Sequence, residues 1–147
     1  MDAATVEARL QAIEDRDAIW SLVCELAECI DRRDLLGFAA LFSRDGTLRT
    51  SLGPASTGPG EIQAFLEGAL DRPAEHERSY HHVTNCTIAV DGDRATSSSR
   101  WSNVGRDAED RPVVQMAGHY EDAFVREDGR WRFASRAIHN DIPYTRL

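Results

Sequence analysis

At 147 residues and a formal net charge of −8, the chain suits one domain, spanning residues 1–147, with a sizeable core. The acidic balance excludes a nucleic-acid partner or an anionic membrane surface, because no basic stripe is available to pair with phosphates. All 17 basic residues are arginine, which excludes a lysine Schiff base.

The first helix is predicted from about Thr5, a capping residue with Glu7 in the first turn, to about Arg33. Leu10, Ile13, Trp20, Val23, Ala27 and Ile30 fall at three- and four-residue steps and make one apolar stripe. Asp31 lies at the edge of that stripe near the helix end, where the macrodipole disfavours a carboxylate. The pattern leaves it open whether Asp31 is a solvated helix-end acid or the partner of a buried base. A short helix follows from Leu35 to Phe42, with Leu36, Ala39, Ala40 and Leu41 packing. Ser43-Arg44-Asp45-Gly46 reads as a turn, Thr47 to Thr50 as a short strand, and Gly53 to Gly58 as a loop. Pro59 can open a third helix at its first position, with Ile62, Phe65, Leu66 and Leu70 on its buried face. Asp71 to Ser79 is charged and irregular, as an exposed connection would be.

From Tyr80 onward the pattern is strand and turn. Tyr80 to Val90 alternates apolar and polar residues. Cys86, Ile88 and Val90 are apolar, so the even-numbered face is expected inward, taking His82 with it and leaving His81 and Asn85 outward. Asp91-Gly92 turns the chain into a strand from Arg94 to Val104, on which Trp101 and Asn103 share a face. After a polar loop, Pro112 to Arg126 carries Val114, Met116, Tyr120 and Phe124 on one face, with His119 opposite. Glu127-Asp128-Gly129 is a hairpin turn. The last strand, Arg130 to Asn140, alternates so that His139 follows Ser135 and Ala137 on the Trp131 and Phe133 face, at the expected mouth of a pocket. Helices followed by strands indicate an α+β fold. A cone-like curved antiparallel sheet wrapped around the long helix, with two shorter helices, would leave a pocket at its open end.

Cys24, Cys29 and Cys86 lack the number and spacing of a disulfide framework and read as small buried hydrophobes in a reducing cytosol. The start of the chain lacks the basic and apolar regions of a signal peptide, and no apolar run is long enough to span a membrane. A cytoplasmic location is expected. Histidines without ligand spacing, no glycine-rich phosphate loop and no serine in a strand-to-helix elbow lead to the expectation of no metal and no cofactor.

Three stretches carry a family likeness: Ile30-Asp31-Arg32-Arg33-Asp34 followed by Leu41 to Gly46; His81-His82-Val83-Thr84-Asn85; and Glu127 to Phe133. In this order and spacing the chain, over about residues 6 to 142, resembles the SnoaL-like branch of the nuclear transport factor 2 fold. In scytalone dehydratase and hexachlorocyclohexane dehydrochlorinase of that fold, an aspartate near the end of the long helix pairs with a histidine on the first long strand. Those positions match Asp31 and His82. The resemblance implies that His82 takes a proton from substrate carbon and that Asp31 orients it. Ile30 departs from scytalone dehydratase, which has a tyrosine there, and Ser99 to Asn103 offers no second histidine.

Two functional classes follow. One is a cofactor-free lyase or isomerase acting on a small, largely apolar, ring-containing molecule, with Tyr120, Trp101, Asn103 and His139 as substrate-binding candidates beside the catalytic pair. The other is a non-catalytic small-molecule binder or assembly subunit, like the small subunits of ring-hydroxylating dioxygenases. A homodimer or higher homo-oligomer is expected, since one face of such a sheet must be covered.

Overall fold

The computed structural model describes residues 3–70 and 79–142. Most of the expected connection from Asp71 to Ser79 lies outside the described residues. The element order is α1 (Ala3–Asp31), α2 (Leu35–Ala40), β1 (Phe42–Arg49), β2 (Ser56–Thr57), α3 (Gly58–Ala69), β3 (Tyr80–Asp91), β4 (Arg94–Arg106), β5 (Pro112–Glu127) and β6 (Arg130–Ile142). The strands form one six-stranded sheet in the order β2-β1-β6-β5-β4-β3, antiparallel except where β1 runs parallel to β6. The α+β architecture is therefore as expected, with the long N-terminal helix laid against a curved sheet.

The end of α1 has a defined cause. The Asp34 amide donates to the Cys29 carbonyl at 2.8 Å and the Arg33 amide to the Ile30 carbonyl at 3.1 Å, with Arg33 left-handed at φ 60°. This is a Schellman stop, and it makes Asp31 the last helical residue. Asp34 then caps α2 by accepting from the Gly37 amide at 2.8 Å. At α3 the N-cap Thr57 makes no side-chain cap, and its own amide donates to the Glu61 carboxylate in the first turn at 2.9 Å.

The core joins all three helices to one face of the sheet. Ile19, Leu22, Val23 and Leu26 of α1 meet Phe38, Ile62 and Leu66 of the shorter helices and Phe42, Leu48, Phe124, Trp131 and Phe133 of the strands. The expected α1 stripe holds only in its second half, since Leu10 and Ile13 are exposed. On α2 the buried residues are Phe38 and Ala39, and Leu36 faces solvent. The expected turn at Ser43 to Gly46 lies inside β1, as an irregularity between the Phe42 and Thr47 pairings. There the chain comes so close to β6 that a Cβ on Gly46 would sit 2.7 Å from the Phe133 carbonyl oxygen.

Bulges bend the long strands, and they also decide which residues face the core. On β3, Thr84 pairs with Arg100 and Thr87 with Ser98, so Asn85 and Cys86 together oppose Ser99. Asn85 takes φ 51°, a left-handed conformation that asparagine tolerates. The alternation reverses there: Cys86, Ile88 and Val90 face inward after the bulge, and His81 and Val83 face inward before it. On β6 the pairing shifts between Phe133 and Ser135, so Trp131 and Phe133 are inward before the extra residue and Arg136 after it. On β5 a shift between the Asn103–Met116 and Val104–Val114 pairs turns Val114 outward, contrary to the expected single face.

Cys24, Cys29 and Cys86 are free thiols, as the sequence suggested. Burial pushes each of them up from the ordinary thiol value, which suits inert packing rather than nucleophilic use. Among the described residues no helix is long and apolar enough to cross a membrane.

Candidate active site

Asp31 and a histidine of β3 do meet, but the histidine is His81. The His81 Nδ1 lies 2.6 Å from Asp31 Oδ1. The His81 backbone amide also donates to the same carboxylate, at 3.0 and 3.2 Å to its two oxygens. Since β3 is an edge strand, that amide would otherwise point at solvent. Asp31 thus holds His81 by ring and backbone at once, and these donors offset the unfavourable position of a carboxylate at a helix C-terminus. The side chains are 13% exposed for Asp31 and 21% for His81, so the pair is sheltered but reachable.

His82 is exposed and points to the other side of the sheet. The expectation that placed it inward counted alternation back from Ile88 and Val90 across an undetected bulge at Asn85. The signal was present: asparagine is among the few residues that sit readily at positive φ inside a strand.

The Asp31 contact fixes the imidazole's chemistry. With Nδ1–H donating to the carboxylate, Nε2 carries the lone pair. The Asn103 amide nitrogen lies 3.5 Å from Nε2, a long donor contact. Asn103 sits opposite His81 in the ladder and is buried. The His81 ring tilts against Trp101, centroids 6.2 Å apart, and Trp101 stacks on Tyr120 at 5.6 Å and 11°. Gly118 makes room for the indole, since a Cβ there would sit 3.0 Å from Trp101 Nε1. Trp101 Nε1 and Ser99 Oγ are both buried without a hydrogen-bond partner.

Tyr120 is buried, and burial pushes its hydroxyl up to about 12, so it stays a protonated donor at neutral pH. Behind it lies a pair that sequence reasoning missed. Arg136 Nε and Nη2 donate to the two Asp122 oxygens, each at 2.8 Å, with both side chains at most 1% exposed. The Arg136 guanidinium lies 4.0 Å from the Tyr120 ring centroid and 4.7 Å from that of Phe133. Asp122 shares parity with Tyr120 and Phe124, which was legible. Arg136 was hidden by the bulge after Phe133.

Of the sequence candidates, Asp31, Trp101, Asn103 and Tyr120 come together on the inward face around His81. His139 does not. It is on the outward face, where its ring stacks on His119 at 4.4 Å and 4°. The same bulge on β6 accounts for the difference. Two concavities lie away from this constellation. One, of about 580 Å³, is on the outward sheet face beside Arg49, Thr87, Ser98 and Glu121. The other, of about 500 Å³, lies between α1 and the β5–β6 hairpin beside Asp15, Leu22 and Trp131.

Similarity to known proteins agrees with the fold. Rv3472, a protein of unknown function from Mycobacterium tuberculosis, is 28% identical, with a TM-score of 0.77 over 91% of this chain and 75% of that one. An NTF2-like protein with a cystatin-like fold from Novosphingobium aromaticivorans is 22% identical, with a TM-score of 0.86 over 96% and 91% of the two chains. A hexachlorocyclohexane dehydrochlorinase, LinA type 2, is 19% identical and shares the fold, with a TM-score of 0.77 over 95% and 93%. No curated protein matches the sequence. The SnoaL-like domain model matches residues 11–137, and the chain therefore belongs to the SnoaL-like family.

Proposed function

We propose that this protein is a cofactor-free lyase or isomerase in which His81 is the general base and Asp31 its orienting partner. The observation that carries the reading is the 2.6 Å contact between His81 Nδ1 and Asp31, with the opposite ring nitrogen met by the long 3.5 Å Asn103 contact, which a substrate can displace. In the reaction, Nε2 takes a proton from a substrate carbon beside a carbonyl or a leaving group. Asp31 stabilises the imidazolium that forms, while electrons move into a new double bond or onto the carbonyl oxygen. General-base help of this kind is worth roughly 10²–10⁴-fold. Asn103 and the Tyr120 hydroxyl are the donors on the same face for developing negative charge, and Trp101 offers an apolar wall to a ring-containing substrate. Dehydration, elimination, double-bond shift and aldol-type cyclisation all fit this proton transfer. The dehydrochlorinase with the same fold supports an elimination among them.

The test is proton exchange at activated carbons of cyclic ketones, followed by NMR in deuterated water. His81→Ala and Asp31→Asn should each remove exchange while leaving the fold intact, and His82→Ala should leave exchange unchanged. Exchange that survives in His81→Ala, or is lost only in His82→Ala, would overturn the assignment. The second reading, an assembly subunit, draws on Val6, Leu10 and Ile13, which leave an apolar stripe exposed on the N-terminal half of α1. Either reading is compatible with a cytoplasmic homo-oligomer.

A further inference from the structure

We infer that the outward face of the sheet carries a divalent transition-metal site built from His119, Glu121 and His139, separate from the Asp31–His81 pair. The backbone places these residues together before any rotamer is chosen. His119 and His139 are directly paired across β5 and β6, and Glu121 follows His119 by two residues on the same face. One donor atom from each of the three lies within 4.8 Å of the others. Ligands around a tetrahedral ion with ~2.1 Å bonds are about 3.4 Å apart, so the two imidazoles, stacked at 4.4 Å and 4° without an ion, turn out of that stack to aim both lone pairs at one ion.

A second observation points the same way. His119 Nδ1 lies 2.9 Å from both oxygens of Asp141. A carboxylate on one ring nitrogen fixes the tautomer and leaves Nε2 to bind metal, the usual outer partner of a metal-bound histidine. Asp141 is itself held by Arg100 at 3.1 Å. On the other ligand, His139 Nε2 lies 3.3 Å from Glu121. On metal binding that contact is replaced by coordination from both groups, with the His139 proton moved to Nδ1. Glu121 and His139 are both exposed, so water can complete the coordination shell.

Two imidazoles and one carboxylate suit Zn²⁺, Ni²⁺ or Cu²⁺, whereas Mg²⁺ and Ca²⁺ prefer oxygen. The site would clamp β5 to β6 across the tight crossing where a Cβ on Gly118 would collide with the His139 carbonyl oxygen.

The experiment is calorimetric titration of the tag-free full chain with ZnCl₂, with the visible spectrum of the Co²⁺ form as an independent readout of coordination. One ion per chain is expected, with MgCl₂ giving no comparable heat. The double variant His119→Ala/His139→Ala should abolish binding, and Asp141→Asn should weaken it about 10-fold to 100-fold. His82→Ala, which removes an exposed imidazole elsewhere, should leave binding intact. Since these side chains lie on the outer face, far-ultraviolet circular dichroism should be unchanged in each variant. No Zn²⁺ binding by the native chain, undiminished binding by the double variant, or equal binding of Mg²⁺ would each overturn the site.

Discussion

Two adjacent histidines share the start of β3, and the fold uses them oppositely. His81 receives Asp31 on its ring and on its amide, while His82 faces solvent. Substitution separates them: His81→Ala should cost roughly 10²–10⁴-fold in turnover, and His82→Ala should cost nothing measurable in the same assay. Asp31→Asn keeps the shape but can present an amide N–H to Nδ1, which favours the wrong tautomer. Its turnover should fall as well. The helix-end pattern alone left Asp31 open between a solvated acid and the partner of a base, and the family resemblance pointed to the second. The choice between the histidines was not legible from alternation alone, since alternation carries no memory of an inserted residue.

Secondary structure elements were easier to read than their facings. The four long strands and their hairpins follow from period-two patterning and from turns such as Asp91-Gly92, with Gly92 at φ 57°. What patterning hid was the set of bulges that bend the sheet around α1. The bulge on β3 has its own test. Asn85→Val places a β-branched residue at φ 51°, and chemical denaturation should show a loss of about 1–2 kcal/mol, whereas Asn85→Gly should be tolerated. The Asp15 carboxylate anchors the N-terminal half of α1. Asp15 accepts from Arg126 at 2.7 Å, Trp131 Nε1 at 3.1 Å and Gln11 at 3.1 Å. Burial raises its carboxyl, and these donors more than reverse that, leaving it below the ordinary aspartate value. A depressed folded-state value means the anchor contributes fully above the unfolded value of about 4 and is lost as pH falls through the folded one. The native protein should therefore lose stability more steeply below about pH 4 than Asp15→Asn, which starts lower and has no such group to protonate. Parallel melting curves over acid pH would show it.

Across the molecule, the inward face carries a continuous line of contacts over four strands: His81 on β3, Trp101 on β4, Tyr120 on β5 and Arg136 on β6. Its far end is closed by the buried Arg136–Asp122 pair, joined by the Ser97 hydroxyl at 3.3 Å from Asp122. Breaking that pair strands a charge in the core. Asp122→Ala should cost about 3–5 kcal/mol in a denaturation experiment, because the guanidinium is left without its counterion. Replacing both partners by apolar residues of similar volume should cost far less. Position in the fold also separates what the sequence made plausible from what it did not. Trp101, Asn103 and Tyr120 precede no hidden register shift relative to one another, so their shared face was readable. His139 and Arg136 lie beyond the extra residue in β6, and their facings were reversed.

The inserted residue at Asn85 also bears on how this chain is matched to its relatives. A gap-free alignment anchored on the apolar residues after the bulge would place His82 in the column of a relative whose strand has no insertion. The tandem histidines would make that column look filled by the correct side chain. A one-residue gap between Thr84 and Thr87 brings His81 into register instead. For this chain, gap placement in an eleven-residue window, Tyr80 to Val90, decides which histidine stands in the column set by such a strand.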